Sequence, residues 1–229
     1  MNIQEQLSMM ANDSQDTLLV SQLRSHWFDL LKQLQIDRNL GESIFANLIE
    51  AYSNTARHYH NLHHLQHILD SLAEVRELIN NFPALGLCAW FHDYIYDPQA
   101  IDNEMESAIA AEKILSRLGI NFDTVRLVQQ IILSTRKHEP FLEDTDNLVF
   151  LDVDLSVLGA SPDRYLAYSQ AIRKEYCHLS DRDYREGRKQ VLTQFLARER
   201  IYYTDYFYRR LESIARKNLQ TEIDRPILE

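Results

Sequence analysis

Glycine, proline, cysteine and long hydrophobic runs are all scarce in this chain. Five Gly and five Pro among 229 residues leave few turns for short strands, which favours helices. The two cysteines, Cys88 and Cys177, are isolated, which is typical of free thiols in a reducing compartment and excludes a CxxC zinc site. No window approaches 18 apolar residues, and residues 1–10 lack the basic-then-apolar pattern of a signal peptide. We therefore expect a cytoplasmic protein without a membrane span.

The charge balance is acidic. The chain has 34 Asp and Glu against 24 Lys and Arg, for a formal net charge of -10. A nucleic-acid polymer needs a basic surface, so such a partner is not expected. A small phosphorylated substrate stays compatible, because a metal ion and a few local cations can neutralise it. Hydrophobic residues make up 45%, enough for one sizeable core and a single domain over residues 1–229. The oligomeric state is not predicted.

Apolar residues recur with the 3.6-residue period of helices. The pattern predicts helices at about 18–34, 42–56, 61–79, 104–118, 123–134 and 161–178, and one or two more within 180–217. Gly119 is predicted to end one of them in a left-handed conformation. The run LVFL at 148–151 is compatible with a short strand, but we interpret it as a buried helix start. The chain is thus predicted to be all-α, with residues 139–146 as an exposed loop.

His92 and Asp93 end the apolar run LGLCAWF at residues 85–91. Burying an imidazole and a carboxylate is costly unless something pairs with them, and a divalent metal accepts both ligand types. The dipeptide alone is a weak signal, because a helix-terminal His followed by a capping Asp gives the same letters. Five histidines within residues 58–67 and the acidic segment LDVDL at 151–155 offer further ligands. Together they indicate a metal site.

The choice among these histidines follows from helical geometry. On a helix beginning near Asn61, His64 lies one turn before Ile68 and points toward the packed side. His63 is rotated from it by about 100°, so the two cannot both point inward. His64 is therefore preferred, with His60 and His63 as alternatives. The alternative for the whole cluster is a solvated polar face with one core histidine.

The order His, His-Asp, Asp resembles the ligand set of the HD superfamily of metal-dependent phosphohydrolases. The segments RHYHNLHH at 57–64, HDYIYD at 92–97 and DNEMES at 102–107 are similar to the motifs RxYHNxxH, HDxxYD and DNExxS of a group of small predicted phosphohydrolases. DVDLSVLG at 152–159 and IRKEY at 172–176 extend the match over residues 20–222 or so. The resemblance implies an HD-domain-like helical bundle with its core in that range.

The resemblance also implies a ligand set and an activity. The implied metal ligands are His64, His92, Asp93 and Asp154. Asp154 is preferred over Asp152 because the family's acidic ligand directly precedes a residue such as Leu155. The implied activity is hydrolysis of a small phosphate ester or nucleotide by metal-activated water. Mixed imidazole and carboxylate ligands suit Mn, Mg, Fe, Co, Ni or Zn, so the metal's identity stays open. No substrate comes with the resemblance.

Further side chains are candidates for positioning the substrate and water. Cations that could hold phosphate oxygens are Arg57, Arg136, Lys137 and His138. Carboxylates that could orient water or act as general base are Asp97, Asp102 and Glu104. Each has a plainer alternative: His138 as an exposed loop residue, Asp102 as a helix cap and Glu104 as a partner of the helix dipole.

Three other readings stay open at this point. One is a regulatory HD module that binds a nucleotide or metal without turnover. Another is a di-iron oxygenase or lyase on a related all-α fold, and the last is a structural helical protein whose histidines only pack. The Tyr- and Arg-rich segment 202–210 could stack on a nucleobase, but we interpret it as amphipathic helix packing.

Overall fold

The computed structural model describes residues 3–141 and 144–225, with side chains described from residue 16 onward. No strand occurs in these ranges, and the prediction of an all-α helical bundle is confirmed. The helices are α1 (Ile3–Gln33), α2 (Arg38–Tyr52), α3 (Leu62–Glu74), α4 (Phe82–Phe91), α5 (Asn103–Arg117), α6 (Phe122–Thr135), α7 (Thr145–Asp154), α8 (Pro162–Glu175), α9 (Asp181–Ala197) and α10 (Asp205–Ile223).

Helix α4 lies at the centre of the bundle. Its residues 84–91 are all buried, and α1, α3, α5 and α6 pack around it. This is why its sequence has no polar face. The ring of Trp90 meets that of Trp27 of α1 edge to face at 5.3 Å between centroids, a favourable aromatic geometry. Because α4 ends in the core, the next two residues, His92 and Asp93, begin from a fixed position.

Helix α3 begins where the sequence predicts it. The side chain of Asn61 accepts hydrogen bonds from the backbone N–H groups of His63 and His64, which is the geometry of an N-cap. The predicted helix, which ends at residue 79, is longer than the observed one. The α-helix stops at Glu74, and a 3₁₀ turn, Arg76–Leu78, follows because the hydrogen bonds tighten to a three-residue spacing.

Other boundaries confirm or correct the sequence reading. Gly119 has a φ of 78°, as expected of a left-handed residue after α5. Residues 148–151 lie inside α7, so they form neither a strand nor a helix start. Helix α8 stops at Glu175 instead of reaching residue 178, and the segment 180–217 contains the separate helices α9 and α10.

The predicted exposed loop at 139–146 is only partly exposed. Asp146 is buried, and its two carboxylate oxygens accept hydrogen bonds from the backbone N–H groups of Asn80 and Asn81, each at 2.7 Å. A carboxylate with two such donors can be buried at an acceptable cost, which the sequence pattern did not indicate. Residues 142–143 of this loop lie outside the described residues.

Two features bring distant segments together around one end of the bundle. Helix α3 packs against both α4 and α7, which places the start of α3 beside the ends of the other two. After α7 a 3₁₀ turn, Leu155–Gly159, packs against α8 and α10. At Gly159 a Cβ atom would lie 2.6 Å from Cβ of Leu211, so only glycine permits this approach to α10. In the described parts of the chain, no helix is long and apolar enough to span a membrane.

Candidate metal centre

Four side chains from three helix ends converge on one point. His64 comes from the first turn of α3, His92 and Asp93 directly follow α4, and Asp154 is the last residue of α7. We call these four residues the metal cluster. Both histidines are buried, and both carboxylates are largely covered, with side-chain exposures of 17% for Asp93 and 12% for Asp154.

One donor atom each of His64, His92 and Asp154 lies within 4.8 Å of the other two, close enough to share a metal ion, and the Asp93 carboxylate lies beside both rings. Nε2 of His64 and Nε2 of His92 are 3.1 Å apart, and Oδ2 of Asp93 lies 3.4 Å from the first and 3.0 Å from the second. Oδ1 of Asp154 lies 3.6 and 3.9 Å from the same two nitrogens. Adjacent donors around an octahedral ion with bonds of about 2.1 Å are about 3 Å apart. The distances from Asp93 to the two rings are close to this value, and those from Asp154 exceed it.

The His92 ring is oriented by its second nitrogen. Nδ1 lies 3.0 Å from the carbonyl oxygen of Ala89, one turn earlier in α4, so it carries the proton and donates it. This directs Nε2 at the cluster, as a metal ligand requires. The His64 ring contacts the Tyr59 ring at 4.8 Å between centroids, and its Nδ1 has no hydrogen-bond partner among the described residues.

The pKa values of the cluster residues indicate which charges the cluster stabilises. Burial lowers the pKa of His92, but the adjacent Asp93 carboxylate outweighs it and raises the pKa to about 9. Burial raises the pKa of Asp154, yet His138 and the cluster histidines bring it down to about 2. For Asp93, the histidines His92, His60 and His64 outweigh burial and hold the pKa well below its usual value. Burial lowers the pKa of His64. The cluster thus favours a positive charge between ionised carboxylates.

His138 joins the edge of this site. Its Nε2 lies 3.1 Å from Oδ2 of Asp154, and its side chain is 26% exposed. The residue has a φ of 49°, and its carbonyl oxygen accepts hydrogen bonds from Arg198 Nη1 and Tyr203 Oη, both at 2.8 Å. A non-glycine residue in this conformation needs such support. His138 is therefore part of the site and not a free loop residue.

A cavity of about 1120 Å³ opens from the metal cluster. Asp93, Asp154 and His138 line it, and so do Glu104 in the first turn of α5 and Lys137. Arg136 also lines the cavity, and it and Lys137 are exposed. Arg198 lines the cavity too, but its guanidinium is engaged with the carbonyl oxygens of Lys137 and His138. The cavity therefore has the carboxylates of the cluster at one end and the exposed cationic side chains of Arg136 and Lys137 nearby.

The structure does not bring every predicted residue to this cavity. Asp97 is exposed and accepts a hydrogen bond from Gln99 N within its own loop. Asp102 is exposed at the N-cap position of α5 but makes no capping hydrogen bond with its side chain. His63 is exposed, in agreement with the preference for His64. None of these three residues lines the cavity.

Arg57 and Asp152 have partners within the protein. Arg57 is buried and donates from Nη1 to the carbonyl oxygen of Asp93 at 2.6 Å and from Nη2 to that of Tyr94 at 2.9 Å. It therefore holds the backbone beside a cluster residue and does not reach the cavity lining. Asp152, the alternative to Asp154, is fully buried and binds the backbone N–H groups of Tyr203 and Thr204.

One residue beside the site was not predicted from the sequence. Glu175, at the end of α8, is buried, and its carboxylate binds the His60 ring, Tyr96 Oη and two backbone N–H groups. Burial raises its pKa, but these hydrogen bonds bring it down to about 2. The segment IRKEY at 172–176 contains this residue, but its spacing from His60 in sequence gives no sign of contact.

No protein-family model, curated protein or solved structure matches the chain.

Proposed function

We propose that this protein is a metal-dependent phosphohydrolase acting on a small phosphate ester or nucleotide. The observation that carries the proposal is the convergence of four buried or largely covered donors, His64, His92, Asp93 and Asp154, at the end of a cavity of about 1120 Å³. Burying imidazoles and carboxylates costs free energy unless they are paired. The main partners of these four side chains are one another.

The donor set fits a divalent cation. Two imidazole nitrogens and two carboxylate oxygens are ligands that Mn, Fe, Co, Ni and Zn accept, and Mg accepts with more reluctance. The lowered pKa values of both carboxylates keep them ionised, and the hydrogen bond of Nδ1 aims Nε2 of His92 at the cluster. Because the pKa of His92 is raised to about 9, a cation that binds there would displace the proton of Nε2. An ion held there would supply Lewis acidity and activate water for attack on phosphorus.

The residues around the cluster have roles consistent with this chemistry. Arg136 and Lys137, exposed at the cavity wall, can bind the non-bridging oxygens of a phosphate. His138 holds Asp154 in place and faces the same space. Glu104 is the one predicted carboxylate outside the cluster that lines the cavity, so it is the candidate for orienting the attacking water.

The test is release of phosphate from a panel of substrates. The panel contains nucleoside mono-, di- and triphosphates, cyclic nucleotides, sugar phosphates, and phenyl and 4-nitrophenyl phosphate, each with Mn, Mg, Co or Ni. Asp93→Ala is run in parallel, with Asp70→Ala as the control, because Asp70 is an exposed carboxylate on α3 away from the cavity. We expect release by the wild type and the control, and none by Asp93→Ala. Metal content is measured for all three, and retained occupancy in Asp93→Ala would contradict the ligand set.

The same measurements distinguish the alternative functions. A regulatory module would bind a nucleotide and metal tightly but release no phosphate. A di-iron oxygenase or lyase would purify with iron and show its absorption band. It would also need more ligands, and the Nδ1 of His60, one further candidate, is engaged with Glu175 at 2.7 Å. The absence of phosphate release from every substrate of the panel would overturn the hydrolase proposal.

A further inference from the structure

The cavity is larger than a phosphate alone requires. Its volume of about 1120 Å³ lies above the range of about 300–1,000 Å³ that is typical of pockets enclosing a whole organic ligand. The metal cluster, Arg136 and Lys137 form one part of its lining. The part formed by helices α8 and α9 and the turn between them, which we call the α8–α9 wall, includes Tyr168, Tyr176, Tyr184, Arg188 and Val191. A substrate that fills the cavity therefore has an organic group beside this wall.

A row of aromatic rings connects the metal cluster with the α8–α9 wall. The ring of Tyr59, which also lines the cavity, lies 4.8 Å from that of His64 and 4.7 Å from that of Tyr168, measured between centroids. Within the wall, the rings of Tyr176 and Tyr184 are 6.2 Å apart. Such rings bind planar aromatic groups by stacking and edge-to-face contacts. A sugar would leave hydroxyl groups without partners on the same surface, which costs free energy. The wall therefore favours a planar aromatic group.

The one charged side chain of the α8–α9 wall is neutralised within the protein. Nε of Arg188 donates to Oε1 of Glu222 at 2.9 Å, and the two side chains are only 12% and 11% exposed. The guanidinium also lies over the ring of Tyr168, at 5.2 Å from its centroid. Because Arg188 is paired in this way, the wall does not attract a second phosphate. The exposed Arg136 and Lys137 favour the phosphate near the cluster instead.

One polar atom of the α8–α9 wall has no partner. Oη of Tyr184 is buried and makes no hydrogen bond with any described residue. The guanidinium of Arg173 lies over the Tyr184 ring, at 4.7 Å from its centroid, and restricts its position. Burying a hydroxyl without a partner costs free energy, which a ligand atom that bonds to it would recover. An alkyl chain has no such atom, whereas a nucleobase has ring nitrogens and exocyclic groups along its edge.

We propose that the organic part of the substrate is a nucleobase bound by the α8–α9 wall, so that the protein hydrolyses nucleoside monophosphates. This inference rests on the proposed phosphohydrolase function. Water forms a new bond to phosphorus, and the bond from phosphorus to the ester oxygen breaks. That oxygen keeps the bonding electron pair and takes a proton that the water loses, so a nucleoside and inorganic phosphate result. Tyr176 contacts the base, and the Tyr184 hydroxyl bonds to its edge. Both residues determine specificity and take no part in the chemical step.

Binding of nucleosides tests the α8–α9 wall without any hydrolysis. Isothermal titration calorimetry compares adenosine, guanosine, cytidine, uridine and ribose, first with Mn²⁺ and then with a chelator. At least one nucleoside is expected to bind about 10-fold or more tightly than ribose, because stacking of a base contributes that much. Tyr184→Phe, which keeps the ring, should weaken that binding by about 3–10-fold, the usual effect of losing one hydrogen bond.

The preference of the enzyme for a base is measured with a matched pair of variants. The readout is kcat/KM for the preferred nucleoside monophosphate divided by kcat/KM for ribose 5-phosphate. Tyr176→Ala should lower this ratio by about 5–100-fold, because a ring that contacts the base is removed. The control is Tyr206→Ala, which removes an equally half-buried tyrosine ring outside the cavity and should leave the ratio unchanged.

The outcomes separate this inference from the proposed function. Nucleosides that bind no better than ribose, or equal ratios in Tyr176→Ala and Tyr206→Ala, would overturn the base site while the hydrolase stands. Unchanged nucleoside affinity in Tyr184→Phe would contradict the role of its hydroxyl. A higher kcat/KM on hexyl phosphate than on every nucleoside monophosphate would replace the base by an aliphatic group and overturn the inference. Nucleoside binding by a protein that releases no phosphate would overturn the hydrolase and support the base site.

Discussion

Two buried polar regions of this protein both contain carboxylates and differ in how the hydrogen bonds of those carboxylates are satisfied. One is the metal cluster. The other, which we call the C-terminal junction, consists of Asp152, Glu212 and Asn218. In the junction, Asp152 binds the backbone N–H groups of Tyr203 and Thr204 at 2.7 Å each. In the cluster, imidazole nitrogens and carboxylate oxygens face one another across 3.0–3.9 Å.

The junction is complete without any ligand. Glu212 accepts from Ile201 N, Tyr202 N and Arg216 Nε, and Asn218 donates to the carbonyl oxygens of Leu158 and Ala160. Buried polar groups satisfied in this way hold loops in place. The cluster has no comparable set of backbone partners, and its charges favour a cation. Burial alone therefore does not distinguish structural from functional carboxylates, whereas the source of their partners does.

The sharpest way to test the comparison is Asp154→Ala, since Asp154 lies two residues from Asp152 on α7. It should lower kcat/KM by at least about 10³-fold, because an ion missing one of its ligands stabilises the transition state by several kcal/mol less. The unfolding free energy of the metal-free protein should fall by about 1–2 kcal/mol, because the variant loses the pairing of Asp154 with His138 and the cluster histidines but no longer buries the charge of Asp154. Phosphate release and urea unfolding measure the two quantities. A large loss of stability would remove the distinction between the regions.

The reverse is expected for Asp152→Ala. Two backbone N–H groups would lose their partners in a buried position, at a cost of about 1–3 kcal/mol each. Burial raises the pKa of Asp152 to about 6, so the carboxylate itself is costly, and we expect a net loss of about 2–3 kcal/mol. Urea unfolding measures it at pH 7.5. The folded fraction should keep its Mn²⁺ affinity, and a variant of normal stability that no longer binds Mn²⁺ would move Asp152 into the ligand set.

Mn²⁺ should stabilise the protein only through the cluster. At a free concentration 100 times its Kd, the ion adds about 2.7 kcal/mol, which raises the Tm of a chain of this length by about 5–10 °C. Differential scanning calorimetry with Mn²⁺ and with a chelator measures the difference. Asp152→Ala should keep the increase and Asp154→Ala should lose most of it. An equal increase in both variants would place the ion elsewhere.

Much of the cluster could be predicted from the sequence because its members lie on strongly patterned segments. Helical phase selected His64 over His63, and the apolar run before His92 predicted the buried end of α4. The three segments lie far apart in sequence, however, and no spacing rule predicts that α3 packs between α4 and α7. That they meet was an implication of the resemblance.

The parts that could not be predicted involve backbone partners. Arg57 and Asp152 look like site residues because they are charged and adjacent to ligands, but their partners are carbonyl and N–H groups that only the folded chain brings near. Glu175 was missed for the same reason, since it lies 115 residues from His60. The lengths of α3 and α8 were overestimated because apolar residues continue past the points where the helices end.

Glu175 provides the smallest of the expected effects and extends the comparison to pH. Its pKa is held at about 2, below the usual value of 4.5, by the donors around it. A carboxylate with a lowered pKa in the folded state contributes stability that is present above pH 4.5 and is lost as the pH falls toward 2. Glu175→Gln cannot ionise, so the difference in urea midpoint between it and the wild type should shrink from pH 5.5 to pH 3. Asp70→Asn, at an exposed carboxylate, is the matched surface control. A constant difference for Glu175→Gln would mean that the carboxylate acts by shape and hydrogen bonds and not by its charge.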